Sequence, residues 1–167
     1  MERPGCGPAI GEATAVRPAS ADDVHAIATI EHVTRGGDVD EWEERLRADL
    51  GHPARWLFAA LRGNSVIGFG RVALLDEAVD GPGGFHLGGV TVDPPLRRQG
   101  AGTALTVHRL AWVWKRADVA WCVVNGRNSA SLLMHERVGF IEVEQRSRIH
   151  GIEFDGGVGI LLRAERP

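Results

Sequence analysis

The chain has 167 residues and a formal net charge of −3, with 44% of its residues hydrophobic and 25% charged. This length and composition predict one globular domain and argue against global disorder. We expect neither a nucleic-acid partner at this charge nor a membrane partner, because no run of about 18 apolar residues is present. The two cysteines are far apart and tyrosine is absent, which excludes a disulfide framework and any chemistry that needs a phenol.

The N-terminal segment, residues 1–12, contains three glycines and two prolines and shows no hydrophobic periodicity. We interpret it as a flexible tail that precedes a domain over residues 13–167. It lacks the apolar stretch of a secretory signal peptide, so we expect the protein in the reducing cytoplasm.

The first half of the domain begins with a weakly alternating segment, residues 13–20, which predicts a short strand. Ser20 can cap the helix that follows to about Thr34, and a second helix is predicted over residues 38–53. Residues 55–75 form two apolar runs around a central Arg-Gly-Asn, which predict a β-hairpin.

The second half alternates strands with helices. In chain order it predicts a strand over 85–92, a helix over 100–117, a buried strand over 119–124, a short helix from Asn128 or Ser129 to before Gly139, and closing strands over 141–149 and 158–163. The element order is β-α-α-β-β-β-α-β-α-β-β. This order predicts an α/β fold in which helices cover one mixed sheet.

The most specific local pattern is VTVDPPLRRQGAGTAL, residues 90–105, where a strand leads through a basic, glycine-rich loop into a helix. The first N–H groups of a helix have no internal acceptors, and Gly100 and Gly102 let an anion approach the backbone closely. Arg97 and Arg98 add positive charge nearby. The nucleotide-binding patterns GxxxxGK[ST] and GxGxxG are both absent. The alternative is a turn in which the glycines only allow the backbone conformation and the arginines are solvated, with no ligand bound.

Two motifs resemble those of the GNAT acetyltransferase superfamily. V-x-P-x-x-R-x-x-G-x-G-x-x-L, from Val92 to Leu105, resembles its acetyl-CoA loop, and N-x-x-S-x-x-M-H-E-x-x-G-F, from Asn128 to Phe140, resembles its second signature. The M-H-E-x-x-G-F part resembles the phosphinothricin-type acetyltransferase branch. The resemblance covers about residues 13–163 and implies a single domain with a mostly antiparallel sheet that splays apart at the cofactor site.

The resemblance implies acetyl-CoA as co-substrate, with its pyrophosphate on the backbone amides of residues 98–103. Its pantetheine would run along the end of the strand at residues 90–92, as an added strand does, and Asn128 would hydrogen-bond it. The backbone N–H of Val90 would stabilise the oxyanion. The implied cofactor-binding residues are Val90, Thr91, Val92, Arg97, Arg98, Gln99, Gly100, Ala101, Gly102, Thr103 and Asn128.

His135 is the first candidate catalytic side chain, because it stands where most relatives have a tyrosine that protonates the departing thiolate. It lies seven residues after Asn128, so both share one helix face about 10 Å apart. An imidazole can donate a proton when charged, or relay one through water. The alternative is that His135 only packs on the helix and that water is the acid.

His86 is the second candidate, since several members of the superfamily place a general base at the corresponding strand position. By the two-residue period of a strand, His86, Gly88 and Val90 are expected on one face. The alternative is a histidine bonded to the loop at residues 76–84. Cys122 lies on a buried strand and is interpreted as core rather than as a nucleophile.

The acceptor side is indicated only by charge. Residues 31–50 contain seven acidic residues and three arginines, which could attract a cationic amine. The alternative is an exposed helix face with Glu-to-Arg pairs four residues apart. The histidines show no spacing typical of a metal site, so none is expected.

The sequence therefore predicts an N-acetyltransferase that moves an acetyl group from acetyl-CoA to a primary amine of a small molecule by direct attack in a ternary complex. Two alternatives stay open: a protein N-terminus as acceptor, and a catalytically idle module that senses acetyl-CoA. The strands after residue 141 and the tryptophans could build a two-fold homodimer.

Overall fold

The computed structural model describes residues 13–167, and the tail predicted for residues 1–12 lies outside the described residues. Within these residues, four α-helices and nine strands follow in chain order: β1 (Ala15–Pro18), α1 (Val24–Arg35), α2 (Val39–Leu50), β2 (Arg55–Arg62), β3 (Ser65–Leu75), β4 (Gly84–Val92), α3 (Ala101–Trp114), β5 (Val119–Asn125), α4 (Ser129–Arg137), β6 (Ile141–Arg146), β7 (Arg148–Ile149), β8 (Ile152–Glu153) and β9 (Gly159–Glu165). The predicted strand over 141–149 is two strands, and the β7–β8 hairpin was not predicted.

Seven strands form one mixed sheet in the order β1-β2-β3-β4-β5-β9-β6. Every neighbouring pair is antiparallel except β4 and β5, which run parallel. The mixed, mostly antiparallel α/β sheet expected from the resemblance is therefore confirmed.

The sheet splits between β4 and β5. These strands pair only at Phe85–Leu87 with Ala120–Cys122, although β4 continues to Val92 and β5 to Asn125. Beyond the paired residues the two strands diverge. The predicted splaying is confirmed, and it opens the sheet towards the start of α3.

A β-bulge lies next to this split. Gly70 of β3 pairs with Val90, but Val72 pairs with Leu87, so two glycines at 88–89 stand opposite Arg71 alone. The extra residue of the bulge shifts the alternation of side chains, so that residues an odd number apart across it lie on the same face of the sheet. Leu87 and Val90 consequently both pack towards the core on the α3 side.

Helices cover both faces of the sheet. The larger core cluster packs α3 against β2, β3, β4 and β5, with Leu105 and Val113 of α3 fully buried. The smaller cluster packs α1 and α2 on the other face, around Ile27, Leu46 and Phe69. In the part of the chain that the structure describes, none of the helices combines the length and apolarity needed to cross a membrane.

Candidate active site

A cavity of about 420 Å³ occupies the split between β4 and β5. The bulge of β4, the start of α3, the free end of β5 and the first turns of α4 form its walls. Its lining includes Arg35, Gly88, Gly89, Val90, Val92, Arg97, Arg98, Gly100, Ala101, Gly102, Thr103, Cys122, Asn128, Ser131 and His135. The two motifs singled out in the sequence thus contribute to one site.

The loop into α3 exposes the helix N-terminus to this cavity. Arg98 and Gly100 have left-handed φ angles of 58° and 90°, and α3 begins at Ala101. A Cβ on Gly100 would meet no atom within 4 Å, so this part of the backbone is open to a ligand. The first N–H groups of α3 and the side chains of two arginines supply donors and positive charge that suit an anion at this end of the cavity.

Two of the expected cofactor residues lie differently from the rest. Gln99 does not line the cavity, because its Oε1 accepts a hydrogen bond from Arg62 Nη1 at 2.7 Å. Thr91 points to the opposite face, where its Oγ1 donates to Glu31 Oε1 at 3.0 Å, and it borders only a smaller adjoining cavity. Any contact from these two residues to a ligand in the main cavity would have to come from the backbone.

Asn128 caps α4, and its Oδ1 accepts from the backbone N–H of Ser131 at 3.1 Å. Its Nδ2 has no acceptor among residues 13–167, and the side chain lines the cavity. The cap therefore fixes the amide and leaves its donor available to a ligand.

His135 is buried on α4 and lies at the cavity wall. Its Nδ1 donates to the carbonyl of Ser131 at 2.8 Å, and its Nε2 is 3.2 Å from Sγ of Cys122. Burial lowers the pKa of His135 and raises the pKa of the Cys122 thiol to about 12. A carbonyl can only accept, so the neutral ring has its proton on Nδ1, and Nε2 accepts from the thiol.

His86 does not line the cavity. Its Nε2 donates to the carbonyl of Pro82 at 2.9 Å, and the ring lies edge-to-face with His150 at 4.8 Å. Burial lowers the pKa of His86 to about 4. The expectation that His86, Gly88 and Val90 share one face is wrong, because the bulge places His86 and Val90 on opposite faces. His86 thus makes the loop contact considered as its alternative role.

The acidic segment does not form a wall of this cavity, which has no aspartate or glutamate among its described lining residues. Glu31 pairs with Arg35, and Glu43 pairs with His25 and Arg47. Asp49 binds two arginines of the sheet, and Asp38 caps α2. The Glu43–Arg47 pair agrees with the alternative interpretation of an exposed helix face, whereas Glu31 and Asp49 are buried and do not belong to such a face. Within residues 13–167, no cluster of three histidine, cysteine or acidic side chains could hold a metal ion.

Sequence reasoning missed Arg109, which is completely buried on α3. Its Nη1 donates to the carbonyls of Arg71 and Gly88, both at 2.7 Å, and so holds the bulge beside the cavity. Burial lowers its pKa to about 10. A charged residue inside an otherwise apolar helical run was the one available signal, since buried charges need partners.

Residues 21–140 match the model of the acetyltransferase (GNAT) family, which is more than half of the chain. No curated protein shows significant sequence similarity to it. Among solved structures, a putative phosphinothricin N-acetyltransferase is 18% identical, with a TM-score of 0.67 over 92% of this chain and 98% of that one.

Two further structures share the fold. YncA, a putative acetyltransferase from Salmonella typhimurium solved with its cofactor acetyl-CoA, is 17% identical, with a TM-score of 0.69 over 92% of this chain and 94% of that one. The ribosomal-protein-S18-alanine N-acetyltransferase from Escherichia coli is 21% identical, with a TM-score of 0.68 over the same shares.

Proposed function

Because the chain belongs to the GNAT family of acetyltransferases, we propose that it transfers an acetyl group from acetyl-CoA to a primary amine of a small molecule, by direct attack of the amine in a ternary complex. The observation that supports this most is the single cavity that joins the split sheet to the open N-terminus of α3. One end suits an anion, and the other is bounded by buried strands and a histidine.

In this proposal the pyrophosphate of acetyl-CoA binds the first amides of α3, with Arg97 and Arg98 beside it. Pantetheine follows β4 through Val92 to Val90, and Asn128 donates to one of its carbonyl groups. The acetyl group then lies at the β4 bulge, where the Val90 N–H stabilises the oxyanion of the tetrahedral intermediate.

The amine attacks the thioester carbon, the carbon–sulfur bond breaks, and one proton must pass from the amine to the departing thiolate. Water takes this proton from the amine and passes it to Nε2 of His135 once the Cys122 thiol turns away, and His135 then releases it to the sulfur. A lowered pKa makes the charged ring a stronger acid than an ordinary imidazolium, which favours this release. Of the two bases considered, His86 and water, the low basicity and buried position of His86 favour water.

An acceptor panel tests the proposal. Purified chain with acetyl-CoA should release free thiol when small primary amines are added, and little without them. Acetylation of peptide N-termini but of no small amine would favour the protein acceptor. Binding of acetyl-CoA without any transfer would favour the idle sensor.

We also propose that the protein is cytoplasmic and that it forms a homodimer. For assembly, Ile141 and Val143 are 63% and 50% exposed on β6, which is the edge strand of the sheet. Burying them against a second copy in a homodimer would remove this apolar edge from water. Light scattering of the native chain and of a Val143→Lys variant tests this: the variant should be monomeric.

A further inference from the structure

Arg35 places a cationic group at the wall of the active-site cavity. It is the last residue of α1 and lines the cavity beside Gly88 and Gly89 of the bulge. Its Nη2 lies 3.5 Å from the position that a Cβ on Gly89 would take. The guanidinium therefore lies over Gly89, where the absence of a side chain leaves room for a ligand.

A buried carboxylate forms an ion pair with this guanidinium. Glu31, one turn earlier on α1, is fully buried, and its Oε2 lies 2.9 Å from Arg35 Nε. Its Oε1 accepts a hydrogen bond from Thr91 of β4, so the ion pair is anchored to the sheet. This contact is an ion pair without hydrogen-bond geometry, since Oε2 of Glu31 has no hydrogen-bond partner among residues 13–167. The two terminal nitrogens of Arg35 have no acceptor within the same residues, and the side chain is half exposed, so a ligand can reach them.

The charge around the cavity is one-sided. Its described lining contains three arginines, Arg35, Arg97 and Arg98, and no carboxylate. Arg97 and Arg98 stand at the start of α3, where the proposed function places the pyrophosphate. Arg35 stands at the bulge, where that proposal places the acetyl group and therefore the incoming amine. A polycationic acceptor would find no opposite charge here, whereas an anionic group would.

We infer that Arg35 binds a carboxylate of the acceptor, so that the acceptor is an amine that also bears an anionic group, such as an amino acid. This inference rests on the proposed function, because it concerns the second substrate of the same site. The planar guanidinium offers two parallel N–H donors, which match the two oxygens of a carboxylate. Binding the carboxylate over Gly89 would hold the neighbouring amine near the thioester.

The experiment compares amino acids with their own carboxamides, which keep the amine and the side chain but lose the negative charge. For the native chain, kcat/KM should be about tenfold or more higher for the acids, as expected for hydrogen bonds between charged groups. Arg35→Gln should remove this preference by raising KM for the acids far more than KM for the carboxamides. Arg35→Lys keeps the charge without the fork and should retain part of the preference.

The matched control is Arg47→Gln. Arg47 forms the same kind of pair, four residues after Glu43 on α2, but does not line the cavity. It should keep the native preference. Thermal melting of both variants reports whether the loss of a partner for buried Glu31 changes the fold, and Arg35→Lys keeps the comparison valid if Arg35→Gln is unstable.

The outcomes distinguish a failure of the inference about Arg35 from a failure of the proposed acetyl transfer. Equal rates for acids and carboxamides in the native chain would overturn the role of Arg35 while leaving amine acetylation intact. Weaker acetyl-CoA binding by Arg35→Gln in calorimetry, with the acid preference retained, would assign Arg35 to the phosphates of the cofactor instead. Acetylation of polyamines but of no amino acid would also overturn the proposed role of Arg35. No acetylation of any amine would overturn the proposed function itself, and this inference with it.

Discussion

The Nε2 atom of His135 lies 3.2 Å from Sγ of Cys122, while Nδ1 of the same ring donates to the Ser131 carbonyl at 2.8 Å. The ring is thus held from two sides, by its own helix and by β5. Both side chains border the cavity where the strands separate. This contact fixes the tautomer of the proposed proton carrier, and it makes Cys122 a partner of that carrier as well as a core residue.

Replacement of His135 tests the proton transfer. His135→Ala should lower turnover about 100-fold, the usual contribution of a positioned acid or base, and leave acetyl-CoA affinity nearly unchanged. His135→Tyr should retain more activity, because it restores a hydroxyl donor on this helix face. Steady-state kinetics together with calorimetry measures both quantities. Native turnover in His135→Ala would make His135 a packing residue and leave water as the acid.

The burial of two histidines makes stability depend on pH. The pKa of His86 is lowered from about 6.5 to about 4, and that of His135 is also lowered. Between about pH 6.5 and pH 4, the unfolded chain therefore binds more protons than the native chain. The free energy of unfolding should consequently fall as the pH falls through this range. Urea unfolding at pH 7 and pH 5 measures the loss. His86→Gln should show a smaller difference between the two pH values, and an identical difference would contradict the assignment.

Gly100 tests the anion-binding loop. Gly100→Val should weaken acetyl-CoA binding severely, because it adds bulk where the backbone faces the cavity and forces a β-branched residue to a φ of 90°. Gly139→Val is the matched control: Gly139 has a φ of 100° and equally open surroundings, but does not line the cavity. Both variants should lose stability, and only the first should lose affinity in calorimetry. Equal affinity in folded Gly100→Val would remove the loop from the cofactor site.

The acidic residues of segment 31–50 are not expected to bind the acceptor. Changing Asp38 and Asp40 to Lys should leave the acceptor KM unchanged, because neither residue lines the cavity. It should lower the free energy of unfolding by about 1 kcal/mol, because the side chain of Asp38 caps α2 through the N–H of Asp40 at 2.8 Å. A raised acceptor KM would return these acids to the acceptor site.

Gly70 and Arg109 test the support of the bulge. A Cβ on Gly70 would lie 2.9 Å from Cζ of Arg109, so Gly70→Ala must displace the buried guanidinium. We expect lower stability and, because the Gly88 carbonyl loses its donor, weaker acetyl-CoA binding. Gly51→Ala is the control, since its nearest atoms would be at 3.7 Å, an ordinary contact. Native stability and affinity in Gly70→Ala would show that Arg109 does not hold the bulge.

The sequence predicted the features that depend on local pattern. The helix start after Gly100, the start of α4 at Asn128 or Ser129 and the alternation of helices and strands follow from hydrogen-bonding and periodicity rules that act over a few residues. The split of the sheet was inferred from resemblance and is present in the structure.

Other features depend on contacts between distant segments and could not be read from local pattern. The bulge at Gly88–Gly89 arises from pairing with β3, and it moved His86 away from the face of Val90. The contact between Cys122 and His135 joins β5 to α4, and the carbonyl ligands of Arg109 come from two strands. The anchoring of Arg35 by Glu31 depends likewise on Thr91 of β4.

The central claim is that this cavity transfers the acetyl group of acetyl-CoA directly to an amine. The most direct measurement is mass spectrometry of the products after the purified chain is incubated with isotopically labelled acetyl-CoA and a panel of amino acids and other small amines. We predict a labelled N-acetyl product in equal amount to the free CoA released, with neither formed by the Gly100→Val variant. Tight binding of acetyl-CoA with no labelled product from any amine would contradict it.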